Sequence, residues 1–277
     1  MTTWKDTPNR TVDVGGLRFA YRELGGGSDI PVVFLHHLTA VLDDWDPRVI
    51  DGIAARHRVI AFDNRGVGAT GGSVPTTVEQ MGTDAIAVIR ALGLQQVDLF
   101  GFSLGGGVAQ MVALQAPELV RRMVLAGTGP RGAGGIDKMA TIVGGAYLKA
   151  AFTRSDPRNF LFFPRTPEGK HAASQYLGRL EERTQNRDKK ISLQAGLAQI
   201  KAIRHAGKCA PDDLSVLIHP VLVANGDHDL MVDSSHSADM ARRLPNAQLK
   251  IYPNSGHGGV FQHHQTFVPD ALQFLAN

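Results

Sequence analysis

Ser103 stands at the centre of Gly101-Phe102-Ser103-Leu104-Gly105, with the short apolar run Val97-Asp98-Leu99-Phe100 before it and a longer one from Gly106 to Leu114 after it. The first run reads as a buried strand and the second as a helix that stops before Pro117. A serine on so tight a turn sits in strained backbone, and a Cβ on either flanking glycine would crowd the strand or the helix. The strain lifts the hydroxyl clear of the sheet and aims N–H groups of the helix start at the same point. A serine hydroxyl is a poor nucleophile until a base takes its proton, and neutral imidazole does this near neutral pH. An acid behind the imidazole holds its tautomer and stabilises the imidazolium. Such a set attacks carbonyl carbon.

The surrounding elements must bring a histidine and an acid to this corner. Thr11–Val14 and Leu17–Leu24 alternate around Gly15-Gly16 and read as an antiparallel hairpin. Pro31–Leu35, Arg58–Asp63, Arg122–Ala126 and His219–Ala224 are continuous apolar runs, as expected of strands buried on both faces of a parallel sheet. Gln248–Tyr252 makes a last strand. Helices are expected from Asp46-Pro47 to Ala55, after a capping box of Thr76 and Glu79, near Ser235–Leu244 and around Phe267–Leu275. Strands alternating with helices predict an α/β protein with a doubly wound, mostly parallel sheet. From 129 to 211 the alternation stops. This stretch predicts a helical cap, with Ile191, Leu197, Ile200 and Ile203 on one helix face, inserted into a core of residues 1–128 and 212–277. Ligands of such sheets bind at the carboxyl ends of the strands. Besides Ser103, the groups at those ends are Asn225-Gly226-Asp227-His228-Asp229 and Ser255-Gly256-His257-Gly258.

The order serine, acid, histidine, together with Gly-Phe-Ser-Leu-Gly, the Gly-x-x-Asp of Gly226–Asp229 and Gly256-His257, resembles the α/β-hydrolase family over nearly the whole chain outside the cap. The resemblance implies a catalytic Ser103, His257 as base and an acid from the Asp227/Asp229 pair, where the spacing favours Asp229. It also implies backbone N–H donors for an oxyanion: Leu104, after the nucleophile, and Leu38, in the loop after the Pro31–Leu35 strand. Here the chain departs from its relatives. The usual His-Gly pair reads His36-His37, so a side chain stands where the family has none. His37 either points outward and is tolerated or places an imidazole at the pocket wall.

Other patterns carry less. Gly66-x-Gly68-x-x-Gly71 matches a dinucleotide fingerprint as a string, but Pro75 and Thr76 put the helix start several residues later, so no cofactor is expected. His263-His264 with His257 lacks an acidic or cysteine partner at ligand spacing, so no metal is expected either. A formal net charge of +3, with Lys and Arg scattered, argues against a nucleic-acid partner. The single cysteine, Cys209, excludes an internal disulfide and reads as a bystander thiol in a reducing compartment. With no signal-peptide pattern and no apolar run long enough to span a bilayer, the expected location is the cytoplasm, away from membranes.

The expectation is a serine hydrolase of small to medium uncharged carboxylic esters or lactones, working through an acyl-enzyme. The resemblance leaves two alternatives open: a cofactor-free perhydrolase or haloperoxidase using the same three residues, and a ligand receptor with little turnover. The cap is rich in apolar side chains, and Phe160 and Phe163 are expected at the pocket with His37. Arg131, Arg154, Arg158 and Arg165 are spaced apart and read as surface residues rather than an anchor for a charged substrate.

Overall fold

The computed structural model describes residues 2–27 and 30–276. At the N-terminal side β1 (Arg10–Val14) and β2 (Leu17–Leu24) form the expected hairpin, with Val14 opposite Leu17. The two linking residues, Gly15 and Gly16, have φ of +59° and +84°, the left-handed pair that a two-residue turn of this twist requires. Then follow β3 (Val32–Leu35), α1 (Pro47–Ala54), β4 (Val59–Phe62), α2 (Val78–Ala91), β5 (Val97–Phe102), α3 (Leu104–Gln115) and β6 (Val120–Ala126). Helix α2 is capped by Thr77, whose hydroxyl accepts from the Gln80 N–H, one residue later than the Thr76 box predicts. Between β6 and β7 (Val221–Gly226) the chain is helical: α4 (Met139–Thr153), α5 (Arg158–Leu161), α6 (Pro167–Leu180) and α7 (Leu193–Lys208). After β7 come α8 (Ser234–Arg243), β8 (Ala247–Tyr252), α9 (Gly259–Gln262) and α10 (His264–Ala276).

The strands form one eight-stranded sheet in the order β1-β2-β4-β3-β5-β6-β7-β8. Only the β1–β2 and β2–β4 pairings are antiparallel; from β4 to β8 every pairing is parallel. Every residue of β3, β4, β5 and β7 is buried, which explains why these strands read as unbroken apolar runs instead of alternating. The edge strand β8 is mostly exposed and carries Lys250, a charge that discourages pairing with another sheet.

The cap shares the apolar core of the sheet, with Phe162 on Phe102 at 5.5 Å and Tyr176 on Phe261 at 5.0 Å, and ion pairs add directional joints. Arg158 bonds Asp44 at 2.6 Å, and Arg179 bonds Asp46, the N-cap of α1, at 2.6 and 2.9 Å. Arg158 is thus a joint between cap and core, not the surface residue its spacing suggests. Helix α7 also departs from its pattern. It buries Ala195, Gly196, Gln199, Ala202 and Ile203, while Leu193 and Leu197 face solvent. Small residues let α7 approach closely, and the buried Gln199 amide oxygen accepts the backbone N–H of Thr39 at 2.7 Å. Of the expected apolar face, Ile203 is buried and Ile200 packs against the core, while Leu197 is turned out because the closest approach is made by small residues and Gln199.

Candidate active site

Ser103 occupies the corner between β5 and α3 with φ +56° and ψ −117°. A non-glycine residue there costs on the order of 1–3 kcal/mol, and the surroundings enforce it. The Ser103 N–H donates to the Ala126 carbonyl of β6 at 2.9 Å, and the Ser103 carbonyl accepts from Gly106 N–H at 2.9 Å. A Cβ on Gly105 would collide with the carbonyls of Leu35 and His36, and one on Gly101 would lie 2.6 Å from Gly106 Cα. Both glycines are therefore required by backbone packing. The N–H of Leu104 is in the first turn of α3, where helical N–H groups have no intrahelical acceptor.

His257 arrives from the loop between β8 and α9. Its Nδ1 lies 2.7 Å from Asp229 Oδ2, and neither side chain is exposed. The other carboxylate oxygen, Oδ1, accepts from the backbone N–H groups of Met231 and Val232 at 2.8 and 3.0 Å. A carboxylate satisfied on both oxygens is locked in orientation, so His257 carries its proton on Nδ1 and presents Nε2 as a lone pair. That Nε2 is buried without a hydrogen-bond partner among the described residues. Asp227 lies elsewhere: exposed, it bonds His228 Nδ1 at 2.6 Å and accepts from Asn254 and Ser255 N–H groups at 3.0 and 3.1 Å. It braces the loop that delivers His257. Gly127, with φ +54°, runs beneath the imidazole; a Cβ there would lie 3.2 Å from His257 Nδ1 and 2.9 Å from the Phe102 ring.

The loop after β3 holds Leu38 between two anchored peptide groups. The His37 carbonyl accepts from Ala40 N–H at 3.2 Å; the Leu38 carbonyl accepts from Thr39 Oγ1 at 2.7 Å and meets His37 Nδ1 at 2.8 Å. Because the His37 carbonyl is fixed, the Leu38 N–H on the same planar peptide points the opposite way. The His37 side chain is turned inward, 5% exposed, with its ring edge-on to Phe102 and Phe162 at 5.4 and 5.2 Å. Burial holds its pKa well below the ordinary histidine value, so the ring is neutral, with a proton on Nδ1 and a buried Nε2 that has no partner among the described residues. His37 borders a polar cleft that also holds Asp44, Asp156, Arg158 and Asp188.

Ser103 and Leu104 open onto a different, apolar cavity with about 570 Å³ of empty space, part of it continuous with solvent. Val78, Met111, Ile136, Met139, Ile203 and Val232 line it, so both the core and the cap supply wall. Arg131 stands at its edge with its guanidinium occupied by Glu79 at 2.7 Å and by Asp212. Neither Phe160 nor Phe163 borders this cavity. Phe160 is half-buried beneath the Lys149 ammonium at 4.7 Å, and Phe163 packs on Tyr176 at 5.5 Å. The cap ring that meets the imidazole is Phe162, 5.4 Å from His257, on which Phe102 also packs at 5.0 Å, with the Phe162 carbonyl accepting Gly258 N–H at 2.8 Å. The run of aromatic residues drew attention to this segment, but which ring faces inward depends on how α5 docks.

A serine on a strained strand-to-helix corner, a buried His–Asp pair at neighbouring strand ends and a mostly parallel sheet interrupted by a helical cap define a serine-type α/β-hydrolase. The chain belongs to the alpha/beta hydrolase fold family, which it matches over residues 30–264. It is 30% identical over 275 residues to a non-heme chloroperoxidase of Streptomyces lividans, covering 94% of this chain and 96% of that one. It is 29% identical over 272 residues to a non-heme haloperoxidase of Rhodococcus erythropolis, with the same coverage. Among solved structures, an alpha/beta hydrolase fold protein from Chitinophaga pinensis superposes with a TM-score of 0.94 at 35% identity, covering 99% of each chain.

Proposed function

We propose that the protein hydrolyses small to medium uncharged carboxylic esters or lactones through an acyl-enzyme. The observation that carries this reading is the position of Ser103: on its strained corner, at the wall of an apolar cavity, with the imidazole of a locked Asp229–His257 pair 5.0 Å from the ring of the adjacent Phe102. In this reading His257 Nε2 takes the Ser103 proton as Oγ attacks the carbonyl. The N–H groups of Leu104 and Leu38 hold the oxyanion, and the proton passes to the leaving alcohol. Water then repeats the sequence and releases the acid. Asp229 does not itself take the proton; it stabilises the imidazolium. The core of 1–128 and 212–277 supplies the machinery, and the cap of 129–211 closes the acyl side. No free cation among the described lining residues offers a carboxylate an anchor, because Arg131 is already paired, and an unpaired buried carboxylate is costly. The single cysteine supports a reducing, cytoplasmic setting; no helix among the described residues is long and apolar enough to cross a membrane.

The test is labelling with a fluorophosphonate followed by a panel of p-nitrophenyl esters and lactones of graded length. Label on Ser103, with kcat/KM rising over short to medium acyl chains and falling for long or anionic ones, is expected. Label elsewhere, or preference for a charged ester, would refute the reading. A second reading is favoured by the names of the two relatives above. It is perhydrolysis, in which hydrogen peroxide replaces water in the second half-reaction and the peracid formed oxidises halide. Carboxylate- and peroxide-dependent bromination by the purified protein, lost in Ser103→Ala, decides between water and peroxide as the acyl acceptor.

A further inference from the structure

A second group of chemically competent side chains lies outside the triad, behind the far wall of the apolar cavity. Glu79 stands in the first turn of α2, in the core, and His205 and Cys209 stand at the C-terminal end of α7, in the cap. One carboxylate oxygen of Glu79, one ring nitrogen of His205 and Cys209 Sγ all lie within 4.8 Å of one another. We propose that these three residues bind a zinc ion that clips the cap to the core.

Thiolate, imidazole and carboxylate together suit a borderline-soft ion that takes four ligands, with water in the fourth position, and they do not suit magnesium or calcium. Bonds of about 2.0–2.3 Å put neighbouring tetrahedral ligands about 3.3–3.8 Å apart. Rotation of the exposed His205 ring closes the difference. Glu79 also carries an orphaned oxygen. Glu79 Oε1 accepts from Arg131 at 2.7 Å, but Oε2 is buried with no partner among the described residues. A buried anionic oxygen without a donor is unfavourable, and a cation at that point satisfies it. Glu79 and Asp212 together carry one more negative charge than Arg131 neutralises. A thiolate and a doubly charged ion bring the group to zero. Binding displaces the Cys209 proton to solvent; no bond changes oxidation state.

The site has a mechanical meaning. Val78 and Ala206, the chain neighbours of Glu79 and His205, both line the cavity at Ser103. An ion joining α2 to α7 fixes the separation of two walls of that cavity, one from the core and one from the cap.

The whole chain, stripped with EDTA and dialysed, tests this with Co²⁺ and Zn²⁺ as probes. Because Cys209 is the single cysteine, every thiol signal reports this site. One equivalent of Co²⁺ should produce a thiolate-to-cobalt absorption band in the near ultraviolet, displaced by Zn²⁺. One equivalent of Zn²⁺ should slow the reaction of Cys209 with a disulfide reagent by tenfold or more and raise the melting temperature. His205→Ala, at an exposed position, should weaken Zn²⁺ protection about 10- to 100-fold, and Cys209→Ser should abolish the band and the thermal shift. Absence of the band in the unmodified protein would overturn the proposal. So would protection that survives His205→Ala unchanged, or equal protection by Mg²⁺.

Discussion

Replacing Asp229 with asparagine tests the site at its most constrained point. In the structure Oδ1 takes two backbone N–H groups, from Met231 and Val232, and Oδ2 faces His257 Nδ1. An asparagine has one acceptor oxygen and one donor NH₂. Turning the NH₂ toward Met231 and Val232 would set donors against two donors, each costing about 1–3 kcal/mol when left unpaired. Two such losses leave that rotamer populated at roughly 3% or less. The amide oxygen therefore stays on the backbone and the NH₂ faces Nδ1. His257 responds by moving its proton to Nε2, the nitrogen that must accept from Ser103. Folding survives, because every group is still paired, but the base is in the wrong tautomer. The expected loss in kcat/KM is about 10⁴-fold, some 5.5 kcal/mol in the barrier. Asp227→Asn touches only the exposed brace and should cost less than about tenfold, since no buried group is left unpaired. The assay is steady-state hydrolysis of a short p-nitrophenyl ester, with melting curves to show that both variants are folded. A D229N enzyme within tenfold of the parent, or a D227N enzyme worse than D229N, would refute the assignment.

Ser103→Ala should lose about 10⁴–10⁶ in kcat, and Ser103→Gly should melt above it, because a backbone at φ +56°, ψ −117° costs alanine on the order of 1–3 kcal/mol and glycine almost nothing; an equal or lower melting point for the glycine variant would remove the strain argument. His37→Gly should keep a folded protein with measurable turnover, reduced by no more than about 10²–10³-fold, if the Leu38 N–H supplies the oxyanion contact; a folded variant with no turnover would make the imidazole itself catalytic. Burial lowers the pKa of His36 from 6.5 to about 4, so between those values the unfolded chain takes up a proton that the folded one refuses. The stability from neutral His36 is complete above about pH 6.5 and is lost as pH falls toward 4, a slope of about 1.4 kcal/mol per pH unit. Asp63, whose carboxyl burial and the neighbouring Asp188 push well up, pulls the other way as pH falls. The quantity to measure is therefore the difference between denaturation profiles of the parent and His36→Asn; parallel profiles from pH 7 to 4 would show that His36 is not held neutral.

The sequence by itself determined the core of this protein. Strands buried on both faces need unbroken apolar runs, and those runs mark β3, β4, β5, β6 and β7 without reference to the rest of the chain. The corner at Ser103 is legible for a similar reason: a backbone that admits no Cβ at 101 or 105 demands glycine locally. The acid, too, is visible in the Gly226–Asp229 spacing, because the turn after β7 is a local structure. What tertiary structure decided lies where distant segments meet. Phe162, rather than Phe160 or Phe163, reaches His257 because of the way α5 seats on the core, and periodicity in so short a helix cannot select among three rings. The buried face of α7 mixes Ile203 with small residues and Gln199, which reaches Thr39, so Leu197, one of the apolar residues of its pattern, points outward. Gly127 is needed because its backbone is left-handed and because the Phe102 ring and an imidazole from the far end of the chain both crowd it. Glu79, His205 and Cys209 share no spacing rule at all. They meet because the cap folds α7 back over the start of α2, and contact between segments remote in sequence leaves no periodic trace in either one.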